Sequence, residues 1–225
     1  MGSSPGAGAI VLISGGMDSA VALYSAMRKY DCKALIFDYG QKSRREIAFA
    51  RELAKRAGVE YHVLKIDMPW KGSALLDEAV AVPDDGASSD GRIPATYVPA
   101  RNMIFLSFGV SFAEAAGAEA VFIGAHQMDF SNYPDCRSEF LDAFGEMVKK
   151  GTKAGVERGS VNIVAPLINM TKKEIVEEGI RLGVPFELTW SCYAGGERPC
   201  GRCESCVFRE KAFRDMGVKD PVSGT

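Results

Sequence analysis

Two patterns alternate along the chain. Short apolar runs, the first being "AIVLI" at 9–13, read as strands buried on both faces. Between them lie stretches whose apolar residues recur every three or four positions, as on one face of a helix. Helical spacing follows from Ser19 to Tyr30, then "KALIFDY" (33–39) as a strand, "RREIAFARELAKRAG" (44–58) as an amphipathic helix ending at Gly58, and "EYHVLKID" (60–67) as a strand. From Met68 to Thr96 the periodicity fails among Pro69, Pro83, "DDGASSDG" and Pro94, the composition of a long loop or lid. Beyond it the pattern predicts a helix over "RNMIFLSFGVSFAEAAGA", a strand over "EAVFIGA", a helix over "YPDCRSEFLDAFGEMVKKG" and a last strand over "VNIVAPL". Thr171 with Glu174 predicts a capping box opening the helix "KKEIVEEGIRLG". Alternating strands and helices predict an α/β fold with a parallel sheet and right-handed crossovers.

Size and charge narrow the function. A chain of 225 residues buries a sizeable core as one domain with a small appendage, and the division predicted is 1–184 and 185–225. Lys plus Arg (27) nearly balance Asp plus Glu (29), so no basic surface is available to neutralise many phosphates of a long nucleic acid. The expected partner is therefore a small molecule, with no nucleic acid and no membrane. The first residues carry no basic segment, and the apolar run after them is cut at Ser14, which predicts a cytoplasmic protein. In that reducing compartment the 6 cysteines read as thiols or metal ligands.

Two motifs carry chemistry. "SGGMDS" at 14–19 is a glycine turn between a strand and a helix, where backbone N–H groups and the helix dipole favour an anion and Ser14 and Ser19 add hydroxyls. Gly15 and Gly16 let the backbone approach an anion closely. The turn has neither the lysine and length of the Walker pattern nor the three spaced glycines of the dinucleotide pattern. The plain alternative is a tight turn with Asp18 and Ser19 capping. The second motif is C-x7-C-x2-C-x2-C, formed by Cys192, Cys200, Cys203 and Cys206, four thiolates that suit a closed, structural zinc site. An iron–sulfur cluster uses the same ligands.

"SGGMDS" resembles the SGGxDS signature of PP-loop ATP pyrophosphatases. Together with "DYGQKS" (38–43), "TYVPARNMIFLS" (96–107), "YPDCRSEF" (133–140), "PLINMTKKEI" (166–175) and "LTWSCYAGGERPCGRCESCVFREKAF" (188–213), it resembles in order the motifs of the 7-cyano-7-deazaguanine synthase family, over nearly the whole chain. The resemblance implies a Rossmann-like, adenine nucleotide alpha hydrolase-like domain with a zinc-stapled tail. It also implies an ATP-dependent carbon–nitrogen ligase of queuosine precursor biosynthesis, using magnesium and working as a homodimer. Such an enzyme turns 7-carboxy-7-deazaguanine and ammonia into the nitrile through an acyl adenylate and an amide.

By the same resemblance Ser14, Gly15, Gly16, Asp18 and Ser19 hold pyrophosphate, with Leu12, Ile13, Met17 and Ala20 beside them and Phe37 near the adenine. Asp18 would act through magnesium or by ordering the loop, because a bare carboxylate repels phosphate. Arg101 and Lys172 are candidates for phosphate or carboxylate contact. Tyr97, Asp135 and Arg137 are candidates for the deazapurine. The duller readings are surface ion pairs for Arg101 and Arg137, charge complementation around Glu174 and Glu178 for Lys172, and a helix cap for Asp135. Within matching motifs the chain departs from the family at Lys42 and Ser43, where Arg-His is usual, at Ala125 and His126, where Val-Asn is usual, and in "DFSNYPDCR". His126, at a strand end, is a candidate to restore the lost imidazole. These departures leave open a relative that passes the adenylated acid to another amine, such as a protein N-terminus. Two further readings are a nucleotide-binding module without catalysis and a transfer-RNA thiolating enzyme; the intact turn and the balanced charge speak against them.

Overall fold

The computed structural model describes residues 7–84, 92–126 and 133–222. The strand pattern of the sequence is realised as five parallel strands, β1 (Gly8–Leu12), β2 (Asp31–Asp38), β3 (Glu60–Lys65), β4 (Ala120–Phe122) and β5 (Asn162–Val164), in the order β3-β2-β1-β4-β5. The seven helices among the described residues are α1 (Met17–Ala26), α2 (Arg45–Ala57), α3 (Arg101–Ala116), α4 (Ser138–Gly151), α5 (Lys153–Arg158), α6 (Lys172–Leu182) and α7 (Glu204–Asp215).

Period-2 alternation in the central strand sorts the core into two layers. Ala9, Val11 and Ile13 face α1, α2, α6 and α7, while Ile10 and Leu12 face α3, α4 and α5. Both sets are buried, which is why β1 reads as a continuous apolar run. Leu23, Leu53 and Leu106, from helices on the two sides, are fully buried, each worth about 1.5–3 kcal/mol. The segment after residue 184 shares this core, for Phe186, Ala212 and Phe213 pack in the same layer as α1 and α6.

Where structure and pattern differ, the reasons are local. The first helix starts two residues before Ser19, at Met17, and ends at Ala26, after which residues 27–30 turn into β2. Helix α4 starts at Ser138 because Pro134 opens a short 3-10 turn, Pro134–Cys136, and Arg137 is extended. The sequence pattern did not predict α5; Thr152 caps it by accepting the Gly155 N–H. The Thr171–Glu174 capping box is present on α6. The tip of the long loop, 85–91, and "DFSN" lie outside the described residues. No helix among the described residues is long and apolar enough to cross a membrane.

Candidate active site

Strand order changes direction at β1. The chain leaves β1 toward β2 on one side, while β4 lies on the other, and in such sheets ligands bind outside the carboxyl ends of the strands at this switch point. Here a cavity of about 260 Å³ opens. It is lined from the β1 end by Leu12, Ile13, Ser14, Gly16, Met17, Asp18 and Ser19, and from the β4 end by Gly124, Ala125 and His126. Arg101, Lys172 and Phe37 complete the predicted residues on its walls.

The turn holds its shape by its own hydroxyls. Ser19 Oγ accepts the Ser14 N–H at 3.1 Å and donates to the Gly16 carbonyl at 2.9 Å, and Ser14 Oγ accepts the Gly16 N–H at 3.2 Å. Gly15 has φ +86°, and a Cβ there would lie 2.1 Å from the Glu46 carbonyl oxygen, so only glycine lets α2 pack on the turn. On the other side a Cβ on Gly124 would lie 2.8 Å from the Ser19 nitrogen. The turn is thus clamped between α2 and the end of β4.

Three charged or polar groups meet at the first turn of α1. Lys172 Nζ donates to Asp18 Oδ2 at 2.7 Å and lies 2.7 Å from His126 Nε2. Burial would raise the Asp18 pKa, but Lys172 and His126 outweigh it and hold the carboxyl below its usual range. Burial, then Lys172, lower the His126 pKa to about 4 against the pull of Asp18, so the imidazole is neutral near pH 7 and accepts the lysine proton. Asp18 Oδ1 is buried and has no hydrogen-bond partner among the described residues.

Across the cavity, half-buried Arg101 donates to the Tyr39 hydroxyl at 3.3 Å, the sole hydrogen-bond partner of its guanidinium among the described residues. Burial opposes its charge, yet Tyr39 and its neighbours raise its pKa above the usual value. An always-charged fork with four N–H donors to spare is suited to an anion.

Five predicted residues do not line this cavity among the described residues: Gly15, Ala20, Tyr97, Asp135 and Arg137. Gly15 and Ala20 form the turn and helix behind it. The buried Asp135 carboxylate accepts the Asn102 N–H at 3.0 Å, and Asn102 Nδ2 donates back to the Asp135 carbonyl, so this residue caps the start of α3 from outside it. Tyr97 accepts the Ala100 N–H at 3.0 Å, steadying Ala100 in the left-handed region at φ 55°. Conversely, Tyr39, Gln41, Glu46, Tyr133, Trp190 and Tyr193 line the cavity without having been singled out by the sequence. The departures also find places. Ser43 Oγ accepts from the Trp190 indole at 3.1 Å, and Lys42 Nζ donates to the Val80 carbonyl at 2.7 Å.

The four cysteines Cys192, Cys200, Cys203 and Cys206 converge, their sulfurs all within 4.8 Å of one another. A tetrahedral zinc–sulfur distance of about 2.3 Å needs sulfurs about 3.8 Å apart, which this cluster approaches. The Cys200 N–H donates to Cys192 Sγ at 3.3 Å and the Cys203 N–H donates to Cys200 Sγ at 3.3 Å, contacts that favour thiolates for a cation to neutralise. Trp190 packs on this cluster, and its backbone N–H donates to the Gly15 carbonyl at 2.7 Å.

The model of the family described as "Queuosine biosynthesis protein QueC" matches residues 8–217. The chain belongs to this QueC family. A 7-cyano-7-deazaguanine synthase of Trichodesmium erythraeum is 47% identical over 219 residues, covering 95% of this chain and 99% of the relative. A 7-cyano-7-deazaguanine synthase of Nostoc punctiforme is 48% identical over 95% of this chain and 98% of its own. The reading of a relative that acylates a different amine finds no support in these comparisons. Among solved structures, NMN synthetase from Francisella tularensis superposes with a TM-score of 0.52 at 19% identity, covering 96% of this chain and 79% of its own, a likeness of fold alone. The QueC match runs past both motifs and through α7, to residue 217.

Proposed function

We propose that this protein is an ATP-dependent carbon–nitrogen ligase that converts 7-carboxy-7-deazaguanine and ammonia into 7-cyano-7-deazaguanine. The observation that carries the reading is the cavity itself, in which the 14–19 turn, Lys172 and Arg101 face one another in a chain 47% identical to a named synthase.

A carboxylate is a poor electrophile. ATP converts it to an acyl adenylate with release of pyrophosphate, ammonia displaces AMP to give the amide, and a second activation of the amide oxygen lets it leave as the nitrile forms. The chain supplies orientation and electrostatic stabilisation. Gly16 and the hydroxyls of Ser14 and Ser19 hold the departing phosphates, Lys172 offsets their charge, and Arg101 holds the acid or its adenylate. Asp18 Oδ1, buried and without a donor among the described residues, fits a magnesium ion brought with the nucleotide. Cys192, Cys200, Cys203 and Cys206 would hold zinc, which supplies a closed structural staple. The remaining parts of the reading are a cytoplasmic homodimer and roles for Tyr97, Asp135 and Arg137 in placing the deazapurine, Asp135 by holding the start of α3 through Asn102.

Mass spectrometry of the protein incubated with ATP, magnesium, 7-carboxy-7-deazaguanine and ammonium tests this. Nitrile with AMP and pyrophosphate is the expected outcome. Adenylate or amide that accumulates without nitrile overturns it.

A further inference from the structure

Two acidic side chains on the cavity wall are left without work by the reaction above, Glu46 and Glu204, and Glu46 comes from the helix turn that packs on Gly15. The Glu46 carboxylate is held by a buried amide. It stands in the first turn of α2 and is half-buried. Oε1 accepts from Gln41 Nε2 at 2.9 Å. That amide cannot turn away, because Gln41 Oε1 accepts the Tyr39 N–H at 2.9 Å and Nε2 also donates to the Phe37 carbonyl at 3.1 Å. The result is a carboxylate fixed by a buried neutral amide, with no Lys, Arg or His nitrogen within 4.0 Å of it among the described residues. A carboxylate on a cavity wall without a contacting cation is disposed to receive a small one.

The second substrate is such a cation. Near neutral pH ammonia exists almost wholly as ammonium, which has no lone pair to attack with and must lose a proton inside the site. We infer that Glu46 receives the ammonium ion in this cavity and takes the proton that frees its lone pair. This rests on the ligase reading given above. In balance, ammonium N–H passes its proton to the Glu46 carboxylate, and the freed lone pair forms the carbon–nitrogen bond at the acyl carbon. The carbon–oxygen bond to AMP breaks with its electron pair leaving on the phosphate, and one further N–H proton of the adduct goes to solvent. Amide, AMP and a protonated Glu46 result; the carboxyl then returns its proton to solvent.

The electrostatics agree with the geometry. Burial raises the Glu46 pKa to about 7, with Gln41 and Arg101 of α3 acting against it, while Tyr39 after β2 is the other ionisable group that interacts with it. A base is most effective when its pKa lies near the working pH.

The test uses the Glu46→Gln variant, whose amide oxygen still accepts from Gln41, with two amines as probes. Ammonium chloride needs deprotonation; hydroxylamine is already neutral at pH 7.5 and gives a hydroxamate from the same adenylate with loss of one proton. Acid-dependent exchange of labelled pyrophosphate into ATP reads adenylation separately. The expected result is exchange near the wild-type rate, product from ammonium reduced on the order of 10²-fold, and hydroxamate formation retained. Equal losses with both amines, or ammonium use at the wild-type rate, overturn the inference. Should E46Q not fold, Glu46→Asp serves, with a raised KM for ammonium and unchanged hydroxamate formation expected and equal effects on both amines overturning. Wild-type protein without acid-dependent exchange or nitrile defeats the ligase reading itself, which is a different result from a variant that behaves as wild type.

Discussion

Lys172 and Asp18 stand 154 positions apart in the chain and meet at 2.7 Å, joining the first residue of α6 to the first turn of α1. The pair is set by two helix starts, one of them fixed by the Thr171–Glu174 capping box. Replacing Lys172 by Met leaves the half-buried Asp18 carboxylate without its lysine and the phosphates without theirs. Pyrophosphate release is expected to fall on the order of 10²–10³-fold in kcat/KM. A coupled pyrophosphate assay measures it, and a change under about threefold contradicts the role given to Lys172.

His126 makes the protein acid-sensitive. Its folded pKa is lowered to about 4, below an ordinary 6.5, so between those values the unfolded chain binds a proton that the folded chain refuses. Stability is therefore present above pH 6.5 and lost as pH falls through that window, by on the order of 3 kcal/mol. Glu46 has the opposite sign: its folded pKa is raised to about 7 from 4.5, so its contribution is full below 4.5 and is lost as pH rises through 7. Thermal melts of wild type and His126→Asn from pH 7.5 to 4 separate the two. The difference in Tm between the proteins should change with pH, the wild type losing more on acidification; a pH-independent difference contradicts the assignment.

Gly15→Ala is expected to be severe. The added methyl would fall 2.1 Å from the Glu46 carbonyl at φ +86°, where an L side chain is also strained. Chemical denaturation should show a loss of about 2–4 kcal/mol, accompanied by loss of pyrophosphate release. Gly40→Ala is the control, since φ there is +83° but nothing lies within 4 Å of the added carbon, so the cost should stay near 1 kcal/mol.

Metal removal should be felt in the nucleotide turn as well as in the tail. Trp190 packs on the cysteines and bonds both Ser43 and the Gly15 carbonyl. Chelation, or Cys203→Ser, is expected to lower Tm and to weaken ATP binding by calorimetry. Elemental analysis of the purified protein distinguishes zinc from iron. Unchanged ATP affinity in a metal-free protein that remains folded contradicts the coupling.

Much of the fold was legible because its signals are local. "AIVLI" and "KALIFDY" contain the full two-faced burial of β1 and β2 in a few consecutive residues, and Thr171 and Glu174 announce α6 by themselves. The turn and the cysteine set were equally readable, each being a motif of fixed spacing. Helix α5 was missed because its six residues lack an apolar period. The far wall of the cavity was missed for another reason. Glu46, Tyr39 and Trp190 are ordinary residues in their own segments and acquire meaning only when α2 and the tail fold onto the β1 end. Asp135 shows the converse, a carboxylate in a suggestive motif whose hydrogen bonds are with Asn102.

The bond from the Trp190 N–H to the Gly15 carbonyl bears on the order of biosynthesis. A ribosome delivers the turn early and all five strands by Val164, yet Lys172 arrives later and Trp190 later still. An unfinished chain can therefore hold a complete sheet and still lack both the cation and the brace of its phosphate turn. On the ligase reading, a chain released before Trp190 would keep its sheet yet lack two of the parts that prepare the turn for nucleotide.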